Sequence, residues 1–128
     1  MARILYVDCC PERVACVCSL LEKQGHVVAV VNCAERAMLH VHNGECCDAV
    51  ITYLYLPGID GAELVRWLSG LESPVSVVKV AFTCCGEKTP VGVGEELPRW
   101  LPADTFVEGL ERAEDLVEAV EKLLEARG

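Results

Sequence analysis

Positive charge is scarce in this 128-residue chain, where eleven Lys and Arg face twenty Asp and Glu for a formal net charge of −9. With no Lys/Arg-rich run to offset it, such a surface repels phosphate backbones and anionic lipids, so neither nucleic acid nor a membrane surface is expected as a direct partner. Long hydrophobic runs are also missing. Although 52% of residues are apolar, no uninterrupted stretch approaches the roughly 20 residues of a membrane-spanning helix. Met1-Ala2-Arg3 is not followed by the apolar core and cleavage site of a secretory signal, which makes a cytoplasmic location the expectation. Internal repeats and low-complexity segments are absent too. The length suits one domain over 1–128 without an output domain, large enough to bury roughly two-thirds of its unfolded surface.

Cysteine is abundant by contrast. Nine cysteines are an odd number, and without a secretory signal they belong to a reducing compartment where thiols stay free. A disulfide framework is not expected. Free cysteine is among the most buried residue types, so small buried hydrophobes are the simplest account of most of them.

Apolar runs of strand length alternate with segments of helical period. Strands are predicted at 3–7, 26–31, 49–53, 75–82 and 105–107, and helices at 11–24, 33–42, 60–68 and 112–126. The punctuation agrees: Pro11 lies just inside the first helix, Gly25 ends it, Asn32 or Cys33 opens the second and Gly44 closes it. This rhythm predicts an α/β chain with a doubly wound, five-stranded parallel sheet covered on both faces. Only 83–102 breaks it. Pro90, Gly92, Gly94 and Pro98 disfavour a fourth helix of normal length, and a loop with one short helical turn near 95–101 is expected.

The stretch 48–61 carries the most information. Asp48-Ala49-Val50-Ile51-Thr52-Tyr53 reads as a buried strand, followed by Leu56-Pro57-Gly58-Ile59-Asp60-Gly61, a turn with a helix N-cap at Asp60. It delivers Tyr53 to the carboxyl edge of the sheet, where ligands bind in open α/β folds.

Together with Ile4-Leu5-Tyr6-Val7-Asp8, the Pro11-led helix and Ala103-Asp104-Thr105-Phe106-Val107, this stretch resembles a response-regulator receiver domain of the chemotaxis-regulator type. The likeness covers nearly the whole chain. It implies a flavodoxin-like fold, phosphoryl transfer from a histidine kinase to an aspartate, and a magnesium ion held by acidic residues. Five positions carry that chemistry. The acceptor position falls on Tyr53, and a phenol of pKa near 10 is a far poorer nucleophile at neutral pH than a carboxylate, which excludes an acyl phosphate there. The acidic pair after the first strand reads Asp8-Cys9, leaving one carboxylate where the family offers three for a hard, oxygen-seeking Mg²⁺. The switch Thr/Ser position falls on Lys79 when counted from Pro74 and on Thr83 if the strand runs longer. The family's Lys-Pro pair falls on Gly109-Leu110, and its rotating aromatic on Phe106, which has a ring but no hydroxyl. The match is therefore to a degenerate receiver, or pseudo-receiver, with Tyr53 as a plug where a phosphoryl group would sit.

Cysteine placement offers a different possibility. Cys9-Cys10 follows the first strand and Cys84-Cys85 the fourth, two loops that a doubly wound topology brings to one edge. Adjacent-Cys pairs do not have the C-x₂-C spacing of usual metal sites, so no metal is assigned. Vicinal disulfides would be strained, since adjacent Cα atoms lie about 3.8 Å apart, short of the usual disulfide range. A bridge across the loops is the better geometry. A redox switch needs an exposed thiolate of low pKa, to which Lys79 or the first helix dipole near Cys9 would contribute. Elsewhere, Cys16 is placed on the buried face of the first helix and Cys18 on its outer face, while Cys46-Cys47 lies at the opposite, amino edge. His40 and His42, two apart, do not share a helical face, and His26 stands with them near the amino side of the second strand. Gly92-Val93-Gly94 lacks the ending of a phosphate loop. The last helix sets Leu116, Val120, Leu123 and Leu124 against Glu114, Glu118, Glu121 and Glu125, an ordinary amphipathic pattern.

The residues and the resemblance together lead to the expectation of a non-enzymatic two-component-type signalling module without a cofactor. It would act by phosphorylation-independent contact with a protein partner, or with itself, through the side made by the fourth and fifth strands and the last helix. Trp100 and Leu101 are the candidate contact residues, with burial of Trp100 as replacement core the other possibility. The alternative is a thiol-based redox or metal sensor using Cys9, Cys10, Cys84 and Cys85.

Overall fold

The computed structural model describes residues 2–44, 47–71, 77–87 and 97–127. In chain order the elements are β1 (Arg3–Val7), α1 (Pro11–Lys23), β2 (Val27–Val31), α2 (Ala34–His42), β3 (Ala49–Tyr53), α3 (Gly61–Ser69), β4 (Val78–Cys84), β5 (Thr105–Leu110) and α4 (Ala113–Arg127). The strands form one sheet in the order β2-β1-β3-β4-β5, and every pairing is parallel. This is the doubly wound arrangement expected of the alternating pattern.

Both sheet faces are buried because β1, β3 and β4 carry apolar side chains at consecutive positions, as two-sided burial requires. Tyr6, Ile4, Ile51, Val80 and Phe82 pack with Val17 and Leu21 of α1 and Leu116 and Val120 of α4 on one face. Leu5, Val7 and Val50 pack with Ala34 and Ala37 of α2 and Leu64 and Leu68 of α3 on the other. On α1 the inward stripe is Val14, Val17, Cys18 and Leu21, the i, i+3, i+4, i+7 set of a helical face. That corrects the expectation for two cysteines: Cys18 lies against the core and Cys16 is exposed.

The fourth strand and the segment after it depart most from the predicted pattern. β4 begins at Val78 and runs to Cys84, two residues past the predicted end; Tyr53 pairs with Phe82, and beyond it Cys84 pairs with Leu110 of β5. Lys79 is paired with Val50 near the amino end, while Thr83 and Cys84 reach the carboxyl edge. Among the described residues no helix lies between β4 and β5, and the predicted turn near 95–101 is described only from 97 onward, as a turn closed by Leu101 N–H donating to the Pro98 carbonyl at 3.0 Å. Leu101 is 0% exposed and packs against Leu54, Ala62, Val65 and Ala81. Leu101 is therefore core, which corrects its expected role as a surface contact. The segment is tied to α3 where Arg66 Nη1 donates to the Trp100 carbonyl at 2.7 Å. Gly92-Val93-Gly94 and Cys46 lie outside the described residues.

The α3 N-terminus is fixed by two features legible in the sequence. Asp60 caps it, its carboxylate accepting from Glu63 N–H at 2.8 Å. Gly61 lets the helix approach β3, since a Cβ there would lie 2.4 Å from the Tyr53 carbonyl oxygen. No other residue fits without moving the strand end that presents Tyr53.

Candidate functional site: a filled pocket at the carboxyl edge

The register places the ends of β1, β3 and β4 side by side, with Val7 opposite Thr52 and Tyr53 opposite Phe82. Asp8, Tyr53, Thr83 and Cys84 therefore gather at one edge, in the crevice where α/β sheets bind ligands.

Asp8 is the anchor. It is only 2% exposed, and a buried carboxylate must be compensated by donors. Tyr6 O–H donates to its Oδ2 at 2.5 Å and Cys10 N–H to its Oδ1 at 3.1 Å. The remaining compensation comes from Arg13, in the first turn of α1. Its Nε donates to Oδ2 and its Nη2 to Oδ1, both at 2.6 Å, a bidentate fork matched to carboxylate geometry.

The same guanidinium spans the rest of the pocket. Its Cζ lies 4.4 Å from the centroid of the Tyr53 ring and 5.4 Å from that of Phe82, within cation–π range. Nη1 donates to Cys84 Sγ at 2.6 Å. The arginine side chain keeps 19% exposure. Burial works against its charge, but the hydrogen bonds and charge of Asp8 outweigh that, so the group is held protonated more firmly than a free arginine.

Tyr53 packs its ring 5.5 Å from Phe82 and, edge-on, 6.1 Å from Tyr55. Its hydroxyl donates to Glu87 Oε2, while Glu87 Oε1 accepts from Cys84 N–H. One carboxylate thus ties the end of β3 to the turn after β4. Burial, and then Glu87, raises the Tyr53 pKa above the ordinary phenol value of 10.0. The Tyr6 phenol is raised as well, by burial first and the Asp8 hydrogen bond second. Neither phenol is ionised at neutral pH.

Thr83 is buried, and its Oγ1 accepts from Gly109 N–H at 3.1 Å. Gly109 has φ +61°, a left-handed backbone that favours glycine, beside the irregular pairing between β4 and β5. This corrects the alternative that Lys79 shares the pocket: its Nζ lies 3.7 Å from Asp104 and bonds the Val77 carbonyl at the amino end. It cannot act on a pocket thiol from there. Phe106, in β5, is half-buried against the cluster of Leu54, Ala62, Val65, Ala81 and Leu101.

The pocket thiols do not converge on one another. Cys84 faces Arg13, Cys85 Sγ is 3.3 Å from Glu111, Cys10 Sγ is 3.9 Å from Glu12, and Cys9 is exposed. Cys9, Cys10, Cys84 and Cys85 form no disulfide, and no group of three or more His, Cys, Asp or Glu suited to a metal occurs among the described residues. Burial raises the Cys84 pKa despite the neighbouring guanidinium, and the Glu111 hydrogen bond raises that of Cys85. A redox switch needs the opposite shift.

Sequence reasoning missed Arg13, and with it Tyr6 and Glu87, which bond Asp8 and Tyr53. For Arg13 the available signal was its place five residues after Asp8, in the first turn of a helix that starts at the carboxyl edge.

No protein-family model matches the chain, and no curated protein does. Solved structures match over nearly its whole length. A receiver domain of a Francisella response regulator superposes with a TM-score of 0.79 at 15% identity, covering 100% of both chains. A CheY-like response-regulator receiver domain from Methanospirillum hungatei gives 0.77 at 20% identity over 98% of this chain and 95% of that one. Another, from Methylobacillus flagellatus, gives 0.73 at 22% identity over 95% and 98%. The chain has the receiver fold. At these identities the likeness extends to the fold alone, and the pocket must be judged on its own residues. No helix among the described residues is long and apolar enough to cross a membrane.

Proposed function

We propose that this chain is a pseudo-receiver: a non-enzymatic signalling module, cytoplasmic and of the two-component type, that acts through contact with a protein partner without accepting a phosphoryl group. The observation that carries the reading is the filled pocket. Tyr53 stands at the strand end where a receiver would present its acceptor, its hydroxyl is engaged by Glu87, and Asp8 is fully committed to Arg13, Tyr6 and Cys10. The Thr83 hydroxyl, at the end of β4, is already bonded to Gly109. Nothing in this arrangement is poised to attack phosphorus, and each group that would respond to a phosphoryl already has an internal partner. The test is incubation with acetyl phosphate and magnesium followed by intact mass measurement. An unchanged mass is expected, and a stoichiometric gain of one phosphate sinks the reading.

Contact through the side made by β4, β5 and α4 is the proposed mode of action. Trp100 supports it: the ring is 39% exposed on a turn whose backbone is anchored by Arg66, while the adjacent Leu101 is the buried residue. A rigid backbone with a partly exposed aromatic is the form that interface anchors take. Trp100→Ala should weaken partner or self-association at least tenfold while leaving the fold intact, and unchanged association would remove Trp100 from the interface.

A further inference from the structure

The receiver resemblance implies a divalent cation beside the acidic residue after β1, and the residues present do not fit one. A hard cation needs several oxygen ligands with free lone pairs. The Asp8 oxygens face a different set of partners: Oδ2 accepts from Tyr6 and Arg13 Nε, and Oδ1 from Cys10 N–H and Arg13 Nη2. We propose that Arg13 is a resident cation that occupies the metal position, and that this guanidinium, rather than the loss of an acceptor aspartate at Tyr53, is the principal barrier to divalent metal binding in this pocket.

Three features support the assignment. First, the position is covered on several sides by groups that favour positive charge: the Asp8 carboxylate, the π-face of Tyr53 at 4.4 Å, that of Phe82 at 5.4 Å, and Cys84 Sγ at 2.6 Å. Second, the guanidinium carries its charge permanently, and Asp8 holds it more firmly still. A metal would have to displace a covalently tethered competitor whose effective concentration is high. Third, a second cation a few ångströms from the first meets like-charge repulsion in a poorly solvated site. A carboxylate restored at position 53 would face the same guanidinium and form a further ion pair with it, leaving the metal no better off. The tethered charge would also make the pocket geometry independent of ambient magnesium.

The test compares Mn²⁺ binding, followed by the loss of the free-ion electron paramagnetic resonance signal, in the wild type, Tyr53→Asp, Arg13→Met/Tyr53→Asp and Arg13→Gln/Tyr53→Asp. Circular dichroism and amide spectra report folding of each. The expected result is that Tyr53→Asp alone binds no more tightly than the wild type, while Arg13→Met/Tyr53→Asp binds at least tenfold more tightly than Tyr53→Asp. If the methionine variant does not fold, the glutamine variant carries the test, because its neutral amide can still donate to Asp8 while the positive charge is gone, and a severalfold gain is expected. Equal affinity with and without Arg13, including no saturable binding in either, overturns the proposal. So does tight binding by Tyr53→Asp alone.

Discussion

Arg13 and Tyr53 stack face to cation across the carboxyl edge, the guanidinium carbon 4.4 Å above the ring centroid, although one comes from α1 and the other from β3. The contact joins two halves of the pocket that otherwise have separate anchors, Asp8 on the β1 side and Glu87 on the β4 side. A cation–π contact of this kind is worth about 0.5–2 kcal/mol depending on desolvation. Its main consequence is geometric, since it leaves one arrangement of the edge without need of a ligand.

Asp8→Asn should be among the most destabilising single changes in the pocket. It removes the charge that compensates Arg13 and replaces one acceptor oxygen with a donor amide that faces Arg13 or Tyr6 N–H and O–H groups. Breaking one side of a buried pair costs about 3–5 kcal/mol, and the partial exposure of Arg13 places the expected loss near the lower end. Chemical denaturation of the two proteins measures it; a difference within about 0.5 kcal/mol would mean that the pair contributes little.

Tyr53→Phe keeps the ring against Arg13 and Phe82 and loses only the hydroxyl bonded to Glu87. The stability loss should be about 0.5–1.5 kcal/mol. The local effect should exceed the global one, because Glu87 also holds Cys84 N–H. Hydrogen exchange at the Cys84 amide is expected to accelerate while amides in β1 do not change; equal protection in both proteins would show that Glu87 holds the turn without Tyr53.

Leu101 and Trp100 are neighbours with opposite fates. Leu101→Ala leaves a hole under Leu54, Val65 and Ala81 and should cost about 2–5 kcal/mol. Trp100→Ala should cost about 1 kcal/mol or less, since much of the ring is exposed. Parallel urea titrations distinguish them, and a larger loss at Trp100 would reverse the assignment of core and surface.

These two residues also mark how far the sequence could be read. The strands and helices followed from apolar runs and punctuation, because Pro11, Gly25, Gly44 and Asp60 act locally through φ, missing donors and caps. What the chain does between Leu97 and Ala103 depends on packing against Leu54, Ala62, Val65 and Ala81, and which of two adjacent apolar residues enters that cluster is a tertiary fact. The β4 boundary failed for a related reason: pairing with β3 ends at Phe82, and it is the pairing of Cys84 with Leu110 of β5 that carries the strand on through Thr83 to the edge and leaves Lys79 at the far end. Tyr53 and Asp8 were legible as the altered site because strand ends are positions in sequence. Arg13 was not, since a surface-type residue in the first turn of a helix gives no sign that its side chain turns back over the sheet.

Alkaline pH should expose the contribution of Tyr6. Its phenol is fully buried, and burial followed by the Asp8 hydrogen bond raises its pKa above the ordinary 10.0. For a group raised on folding, the stabilisation is fully present below the unfolded value and is lost as pH rises from there toward the folded value. Stability should therefore be insensitive to Tyr6 below pH 10 and fall above it, by up to about 1.4 kcal/mol per pH unit for the one proton that only the folded state retains. Cysteines titrate nearby, and Cys84 and Cys85 are shifted in the same direction, so the comparison must be made with Tyr6→Phe. That variant lacks the hydroxyl bonded to Asp8 and should be about 1 kcal/mol less stable at neutral pH. Its stability curve should decline less steeply above pH 10, so that the two proteins converge. Parallel curves through pH 11 would mean that the Tyr6 proton is not linked to folding, and that Asp8 is held by Arg13 and Cys10 alone.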